Sequence, residues 1–320
     1  MKLAETVTFG ASTLDRAAEL RSDPAQLARL ARGPESRHLA FWRGKVLQTN
    51  DHSLMQLAFD DPLLTNSADV PVFVGRDGKA PIFAHDVSSW DPPEGLPDSL
   101  ADFFDPSQQV VADHLEHPYF GELRGVMSDL TPLEAELAAT AKAILGWHVS
   151  HRFCSKCGAP SQIADGGWRR DCEACGGQHF PRTDPVVIML ITHGNSVLLG
   201  RSPGWPDRMY SLLAGFVEPG ETLEGAVRRE VYEETSIPVG RVGYLAGQPW
   251  PFPSSLMFGC WGEATDTKIT IDPNEIEDAI WVSREDMMDI FAGTHALVRA
   301  PRKGAIAGFL LEHWLRDRLD

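Results

Sequence analysis

The chain has 320 residues, enough for two or three domains, each with a core of its own. Its 29 basic against 45 acidic side chains leave a net charge of −16, which excludes a general nucleic-acid binder with a basic footprint. No apolar run approaches the roughly 20 residues of a membrane span, and the first residues lack a secretory signal, so a cytoplasmic protein with no membrane partner is expected.

The first 125 or so residues carry no catalytic motif. Alternating apolar residues predict a strand from His38 to Trp42 and a return from Val46 to Thr49 across Arg43-Gly44-Lys45. A second pair, Val72 to Val74 against Ile82-Phe83, closes across Gly75 to Lys79. Pro92, Pro93 and Pro97 mark a loop, and Leu100 to Phe104 begins a short helix. Together they predict a separate α+β domain over residues 1–130. Thr131-Pro132-Leu133-Glu134 then starts a helix: threonine caps, proline sits in the first turn and the glutamate reaches back in a capping box. This helix connects over residues 131–150, with Leu133, Leu137, Ala141, Ile144 and Leu145 as its apolar stripe, ending near Trp147-His148.

Four of the five cysteines follow as Cys154-x2-Cys157 and Cys172-x2-Cys175, with fourteen residues between the pairs. Two such knuckles predict a zinc ribbon over residues 151–181, and a closed four-thiolate site makes its metal structural. Gly158, Gly176 and Gly177 let backbone amides approach the thiolates. Two disulfides are the alternative, disfavoured by the missing signal and by sparse cysteines elsewhere. Cys260, in an apolar run, is expected to be a buried inert thiol.

Residues 182–320 are expected to form one α/β domain. Strands are predicted at Pro185 to Thr192, Ser196 to Arg201, Arg241 to Gly247, Leu256 to Ala264, Ile269 to Ile271 and Ala279 to Val282. Ser211 to Ala214 leads into a glutamate-rich segment, and helices follow at Arg284 to Phe291 and Ala305 to Leu319. Gln248-Pro249-Trp250-Pro251-Phe252-Pro253-Ser254-Ser255 reads as a stiff extended stretch, since each proline fixes φ and restricts its predecessor. It is either a wall for flat heterocycles or a proline-rich packing loop.

The segment from Gly215 to Ile237 holds six glutamates and two arginines. Residues three and four apart share a helix face, with Cβ atoms about 5–6 Å apart, so Glu230, Glu233 and Glu234 converge. Three like charges destabilise a bare helix but suit a hard cation such as Mg²⁺, which takes carboxylate oxygens and keeps room for phosphate. Leu223, Val227 and Val231 would bury the opposite face. A surface helix with Arg228 and Arg229 in salt bridges is the plainer alternative. If Ser236 must be left-handed, it costs roughly 1–2 kcal/mol.

The spacing from Gly215 through Glu221, Arg229-Glu230 and Glu233-Glu234 to Ile237 resembles the Nudix box of hydrolases that cut nucleoside-linked diphosphates, with Ser236 where glycine is usual. A four-cysteine ribbon, this box and QPWPFPSS in order resemble the NADH pyrophosphatase branch, with Gly247 in place of a leading serine. The resemblance implies an α/β/α sandwich with a mixed sheet, preceded by the zinc ribbon and an N-terminal α+β domain. It implies Mg²⁺ or Mn²⁺ held by Glu230, Glu233, Glu234, Glu275 and the Ala214 carbonyl, and water activation by a box glutamate. It implies substrate contacts from Phe216, the segment from Gln248 to Ser255, Ala307, Phe180 (tyrosine in some relatives) and, in a looser alignment, Arg124. The implied activity is hydrolysis of NADH or NAD⁺ to nicotinamide mononucleotide and AMP by a homodimer. The alternatives are removal of an NAD cap from RNA, hydrolysis of ADP-ribose or another diphosphate, and a non-catalytic nucleotide sensor. Arg169, Arg170 and Arg182 are open to two readings, phosphate contacts or ordinary surface charges.

Overall fold

The computed structural model describes residues 3–10, 12–101 and 104–319. The chain divides into two compact units: an N-terminal one of Ala11–Arg182 with Pro251–Ser254, and a C-terminal one of Met1–Gly10, Thr183–Trp250 and Ser255–Asp320.

In the N-terminal unit, helix α1 (Pro24–Ala31) starts at Asp23, whose side chain accepts from the Gln26 amide, with proline at the first position. Strands β1 (Arg37–Trp42) and β2 (Lys45–Gln48) form a hairpin in which Trp42 pairs with Lys45. Its two turn residues, Arg43 and Gly44, both have positive φ, as a right-twisted two-residue turn requires. β3 (Val72–Asp77) and β4 (Ala80–Asp86) make the second hairpin, and β5 (Gln109–Val110) and β6 (Tyr119–Gly121) complete a sheet of order β3-β4-β1-β2-β6-β5. β1 and β4 run parallel, a pairing that neither local hairpin announces. At the expected start of a helix near Leu100 stands a 3-10 turn, Asp98–Ala101; residues 102 and 103 lie outside the described residues. Helix α2 (Leu123–Val126) is a single turn. Helix α3 (Pro132–Ser150) has the expected reciprocal capping box between Thr131 and Glu134. The ribbon adds three short strands, β7 (Gln162–Ala164), β8 (Arg169–Asp171) and β9 (Gln178–His179).

The C-terminal unit is a mixed sheet between helices. Its strands are β10 (Asp184–His193), β11 (Ser196–Arg201), β12 (Leu213–Phe216), β13 (Val239–Trp250), β14 (Ser255–Ala264) and β15 (Asp278–Ser283). The order is β13-β14-β10-β11-β15, with β12 also on β10 and only β10–β14 parallel among these pairings. Helix α4 (Leu223–Thr235) covers one face, and α5 (Arg284–Ala292) and α6 (Ile306–Leu315) cover the other. β10 shows why a continuous apolar run is needed: Val187, Met189 and Ile191 face the α4 side, while Val186, Ile188 and Leu190 face α5 and α6.

Three expectations change. Ile269 to Ile271 is no strand: the Thr270 amide donates to Thr235 at the end of α4, which takes the segment out of the sheet. The stretch from Gln248 is extended only to Trp250; Pro251–Ser254 turns the chain back, with a cis bond before Pro253. Residues 3–10 belong with the C-terminal unit, because Val7 and Phe9 are 4% and 2% exposed and Val7 joins the core under α6.

His148 of α3 is buried with its imidazole fully used: Nε2 donates to the Gly167 carbonyl at 2.8 Å, and Nδ1 accepts from Arg170 at 3.2 Å. Burial pulls its pKa down to about 4, with Arg170 adding to the effect against the Gly167 bond. His85, hydrogen-bonded to His38 in the same unit, is likewise pulled down to about 4, by burial and then by His38. A base whose folded pKa lies below its unfolded one stabilises fully above about pH 6.5 and loses that stability as the pH falls toward 4. Thermal melts should therefore show His148 alone costing about 2 kcal/mol at pH 5 relative to pH 7.5. His148→Gln, which keeps both hydrogen-bonding roles, should show a smaller acid loss.

Candidate active site

Helix α4 begins where the Thr222 hydroxyl accepts from the Gly225 amide. It ends at Ser236, which adopts φ 60° and ψ 15°, the left-handed conformation that glycine takes without cost. The Ser236 hydroxyl donates to the Thr270 carbonyl at 3.1 Å, which offsets part of that strain. Val227, Val231 and Ala226 are fully buried, and the acids occupy the other side.

Arg229 organises those acids. Its Nε and Nη2 donate to the two oxygens of Glu221 at 2.7 and 2.8 Å, and Nη2 also donates to the Phe216 carbonyl at 2.9 Å. Nη1 donates to Glu230 at 2.9 Å and to Glu233 at 3.0 Å. All five N–H donors of the guanidinium are thus committed. The Arg229 bond, then the Glu218 amide, pulls the Glu221 carboxyl down to about 2. The sequence places Arg229 in the box spacing beside Glu230, or in plain surface salt bridges, and assigns its guanidinium no organising role.

Glu230 comes so close to β12 that a Cβ on Gly215 would lie 1.9 Å from its carboxyl carbon, so only glycine fits there. Glu234 is half-buried, and its Oε2 is buried with no hydrogen-bond partner. Burial first, then the charges of Glu230, Glu275 and Glu233, push its pKa up to about 8. Glu230 is raised too, by burial and by Glu233 and Glu275, against the pull of Arg229. The structure thus brings Glu275 into the electrostatic field of the α4 acids from the segment before β15. An orphaned buried carboxylate oxygen among three other acids is the place for a cation. Ala214, opposite Ile188 on β10, is exposed one position before Gly215, and Phe216 is 59% exposed.

Gln248 is 0% exposed, and its amide has a structural task. Nε2 donates to the Thr8 and Gly304 carbonyls, and Oε1 accepts from the Ile306 amide at 2.8 Å. It thereby caps α6, whose own N-cap, Ala305, supplies no side chain. The expected substrate contact from this side chain gives way to a cap. Pro249 and Trp250 are half-buried at the end of β13, Ser255 opens β14, and Ala307 is buried in the first turn of α6.

The remaining expected contacts lie in the N-terminal unit. The Arg124 guanidinium lies 4.3 Å above the centre of the Phe252 ring, and Lys142 lies 5.4 Å from it. Pro251 and Ser254 are buried, Pro253 is exposed, and Arg182 donates to the Ser254 hydroxyl at 3.3 Å. Phe180 is 63% exposed. The arginines of the ribbon are committed: Arg169 pairs with Asp165 and Asp171, and Arg170 is buried on Ser161 and His148. Neither is placed as a phosphate contact.

The ligand atoms of Cys154, Cys157, Cys172 and Cys175 all lie within 4.8 Å of one another. The Cys154–Cys175 and Cys157–Cys172 sulfurs are 3.6 and 3.5 Å apart, close to the edge of about 3.8 Å that four Zn–S bonds of about 2.3 Å define. Gly158 and Gly176 turn the knuckles at positive φ. The four thiols fit a structural zinc. His179, missed in the sequence, places Nε2 at 3.2 Å from the Cys154 sulfur. No helix is long and apolar enough to cross a membrane among the described residues.

Three family models match the chain: a NUDIX domain over residues 181–301, an NADH pyrophosphatase-like rudimentary NUDIX domain over 35–147 and an NADH pyrophosphatase zinc ribbon domain over 150–180. The NAD-capped RNA hydrolase NudC of Stutzerimonas stutzeri is 40% identical over 197 residues, covering 62% of this chain and 68% of that protein. The NAD-capped RNA hydrolase NUDT12 of Homo sapiens is 47% identical over 194 residues, 57% of this chain but 42% of that protein. Nudix hydrolase 19, chloroplastic, of Arabidopsis thaliana is 44% identical over 168 residues, 50% of this chain and 38% of that protein. The match thus spans less than half the length of the human and plant relatives.

Replacing buried Cys172 by serine removes one thiolate from the ribbon. Metal analysis of Cys172→Ser should show zinc falling from about one per chain to a small fraction, with a lowered thermal midpoint, since a structural zinc contributes on the order of 10 kcal/mol.

Proposed function

The chain belongs to the Nudix hydrolases, in the branch with a zinc ribbon and a rudimentary second Nudix domain, and from that premise we propose that it hydrolyses the pyrophosphate of NADH or NAD⁺ to nicotinamide mononucleotide and AMP. The observation that carries the proposal is Glu234: a half-buried side chain whose Oε2 is buried without a donor, set in the field of Glu230, Glu233 and Glu275, on a helix locked by Arg229. Glu230, Glu233 and Glu234, with Glu275 and the Ala214 carbonyl, would hold Mg²⁺ or Mn²⁺, which supplies charge neutralisation at the diphosphate and a more acidic water. The chain's own residues do the rest. Glu233 or Glu234 orients a water and takes its proton as the oxygen adds to one phosphorus and the bridging P–O bond breaks, with AMP and nicotinamide mononucleotide as products. The exposed Phe216 ring offers a stacking face for the nicotinamide. Arg229 is excluded from substrate contact because its donors are all taken.

The proposed organisation is a catalytic domain over residues 182–320, a ribbon over 151–181, a connecting helix over 131–150 and an N-terminal domain up to residue 130 without its first ten residues. A homodimer in the cytoplasm is the proposed assembly. Glu234→Gln should still bind NADH but turn it over roughly 10²–10⁴-fold more slowly. Near-normal turnover in that variant would sink the assignment.

A second substrate of the same chemistry is RNA with NAD at its 5′ end, favoured by the two relatives named as NAD-capped RNA hydrolases. The bond cut is identical. Comparing kcat/KM for a short NAD-capped RNA with that for NADH decides between them: a ratio well above one makes the capped RNA the substrate, and a ratio well below one leaves the free dinucleotide.

A further inference from the structure

The chain is strongly acidic, yet one cavity of the N-terminal unit gathers three cations. It measures about 490 Å³, within the range of roughly 300–1,000 Å³ typical of small-molecule sites. Its rim carries Arg43 from the β1–β2 turn, Lys142 from α3 and Arg152 just beyond α3, and its apolar wall is formed by Phe41, Leu145 and Val149. Among the described residues, none of the three cations has a carboxylate partner at ion-pair distance. The one acid among the lining residues, Asp86, accepts the amide and hydroxyl of Ser88 on a single oxygen, Oδ1, so the lining holds three cations against one acid.

The arrangement is built rather than incidental. Lys142 donates from Nζ to the Gly44 carbonyl, and a Cβ at Gly44 would stand 3.1 Å from that nitrogen. The turn glycine therefore admits the ammonium to the edge of the cavity. Burial lowers the pKa of Lys142, against the nearby Glu122, while Arg124 lowers it further. An anion in the cavity would supply counter-charge beyond that of the single lining acid, Asp86. Low-dielectric concave walls also focus the field of the three cations on one spot. At the same time, Gly146 leaves its part of the wall open, with nothing within 4 Å of where a Cβ would stand.

We propose that this cavity is a binding site for a nucleoside monophosphate: Arg43, Lys142 and Arg152 take the phosphate, and Phe41, Leu145 and Val149 take the base. Guanidinium forks match phosphate oxygens, and the ammonium adds a point charge. An apolar wall beside a cationic rim selects a ligand with both characters over inorganic phosphate alone. The site shares no residue with the acids of α4, so it stands whether or not the catalytic reading does.

The test is calorimetric titration of AMP, adenosine and inorganic phosphate into the full zinc-loaded chain without added Mg²⁺ or Mn²⁺. AMP should bind saturably and weaken as salt is raised, and both adenosine and inorganic phosphate should bind on the order of tenfold more weakly or worse. Arg43→Ala with Arg152→Ala should weaken AMP by on the order of tenfold for each guanidinium removed. Gly146→Leu, a helix-favouring change at an open position, should block AMP without lowering the thermal midpoint. NADH turnover should be unchanged in all these variants. Absence of saturable AMP binding, equal affinity for adenosine, or AMP binding that survives both the double variant and Gly146→Leu would overturn the proposal.

Discussion

The guanidinium of Arg229 is the contact on which the acid-rich helix depends. Glu221, Phe216, Glu230 and Glu233 come from a loop, a strand and two positions of α4, and a single planar side chain holds all of them. Without it, the clustered carboxylates would repel each other and the loop before α4 would lose its tie to β12. The fork geometry matters as much as the charge, since a lysine ammonium cannot meet two oxygens of Glu221 while reaching two further acids. Arg229 also leaves Glu234 alone. That carboxylate, lacking a cationic neighbour in direct contact, is the one whose pKa rises most in the cluster.

The N-terminal unit is joined by a different kind of contact. The Trp168 indole donates to the Phe73 carbonyl at 2.8 Å, and a Cβ on Gly167 would lie 2.8 Å from a Val72 methyl. The ribbon therefore rests directly on the edge strand β3, and the bond from Gly167 to His148 fastens it to α3 as well. Local order at the four thiols is in this way linked to the packing of the six-stranded sheet. Lys45 and Asp105, both nearly out of water at 2.6 Å, anchor the opposite end of that sheet. Hydrogen bonds to Ser107 and Gln109 satisfy the remaining ammonium donors, the condition under which a buried pair is tolerated.

What could be read from the sequence was what local spacing encodes. The hairpin at Arg43-Gly44, the capping box at Thr131, the two cysteine knuckles and the carboxylate face of α4 are each written within a few neighbouring residues. What escaped was set by partners far along the chain. Gln248 looked like part of a ligand wall because its neighbours are prolines and aromatics, but its amide is claimed by Thr8, Gly304 and Ile306. Ile269 to Ile271 has the composition of a strand, yet its backbone bonds go to the end of a helix. Arg170 has the look of a surface charge and is buried because His148 and Ser161 receive it. Periodicity reports which face is apolar; it does not report which distant group will meet a polar one.

Gln248 bonding to Thr8 spans 240 positions of sequence. Val7 is buried in the same body, so this segment is synthesised well before β13, against which it is seated. Until β13 is made, Val7 lacks the core that buries it. Closing so long a loop late adds to the sequence separation of native contacts, a quantity that slows folding. Both units are therefore discontinuous in sequence: Pro251–Ser254 completes the N-terminal one and residues 3–10 complete the C-terminal one, so neither is whole until the chain has been made past β13.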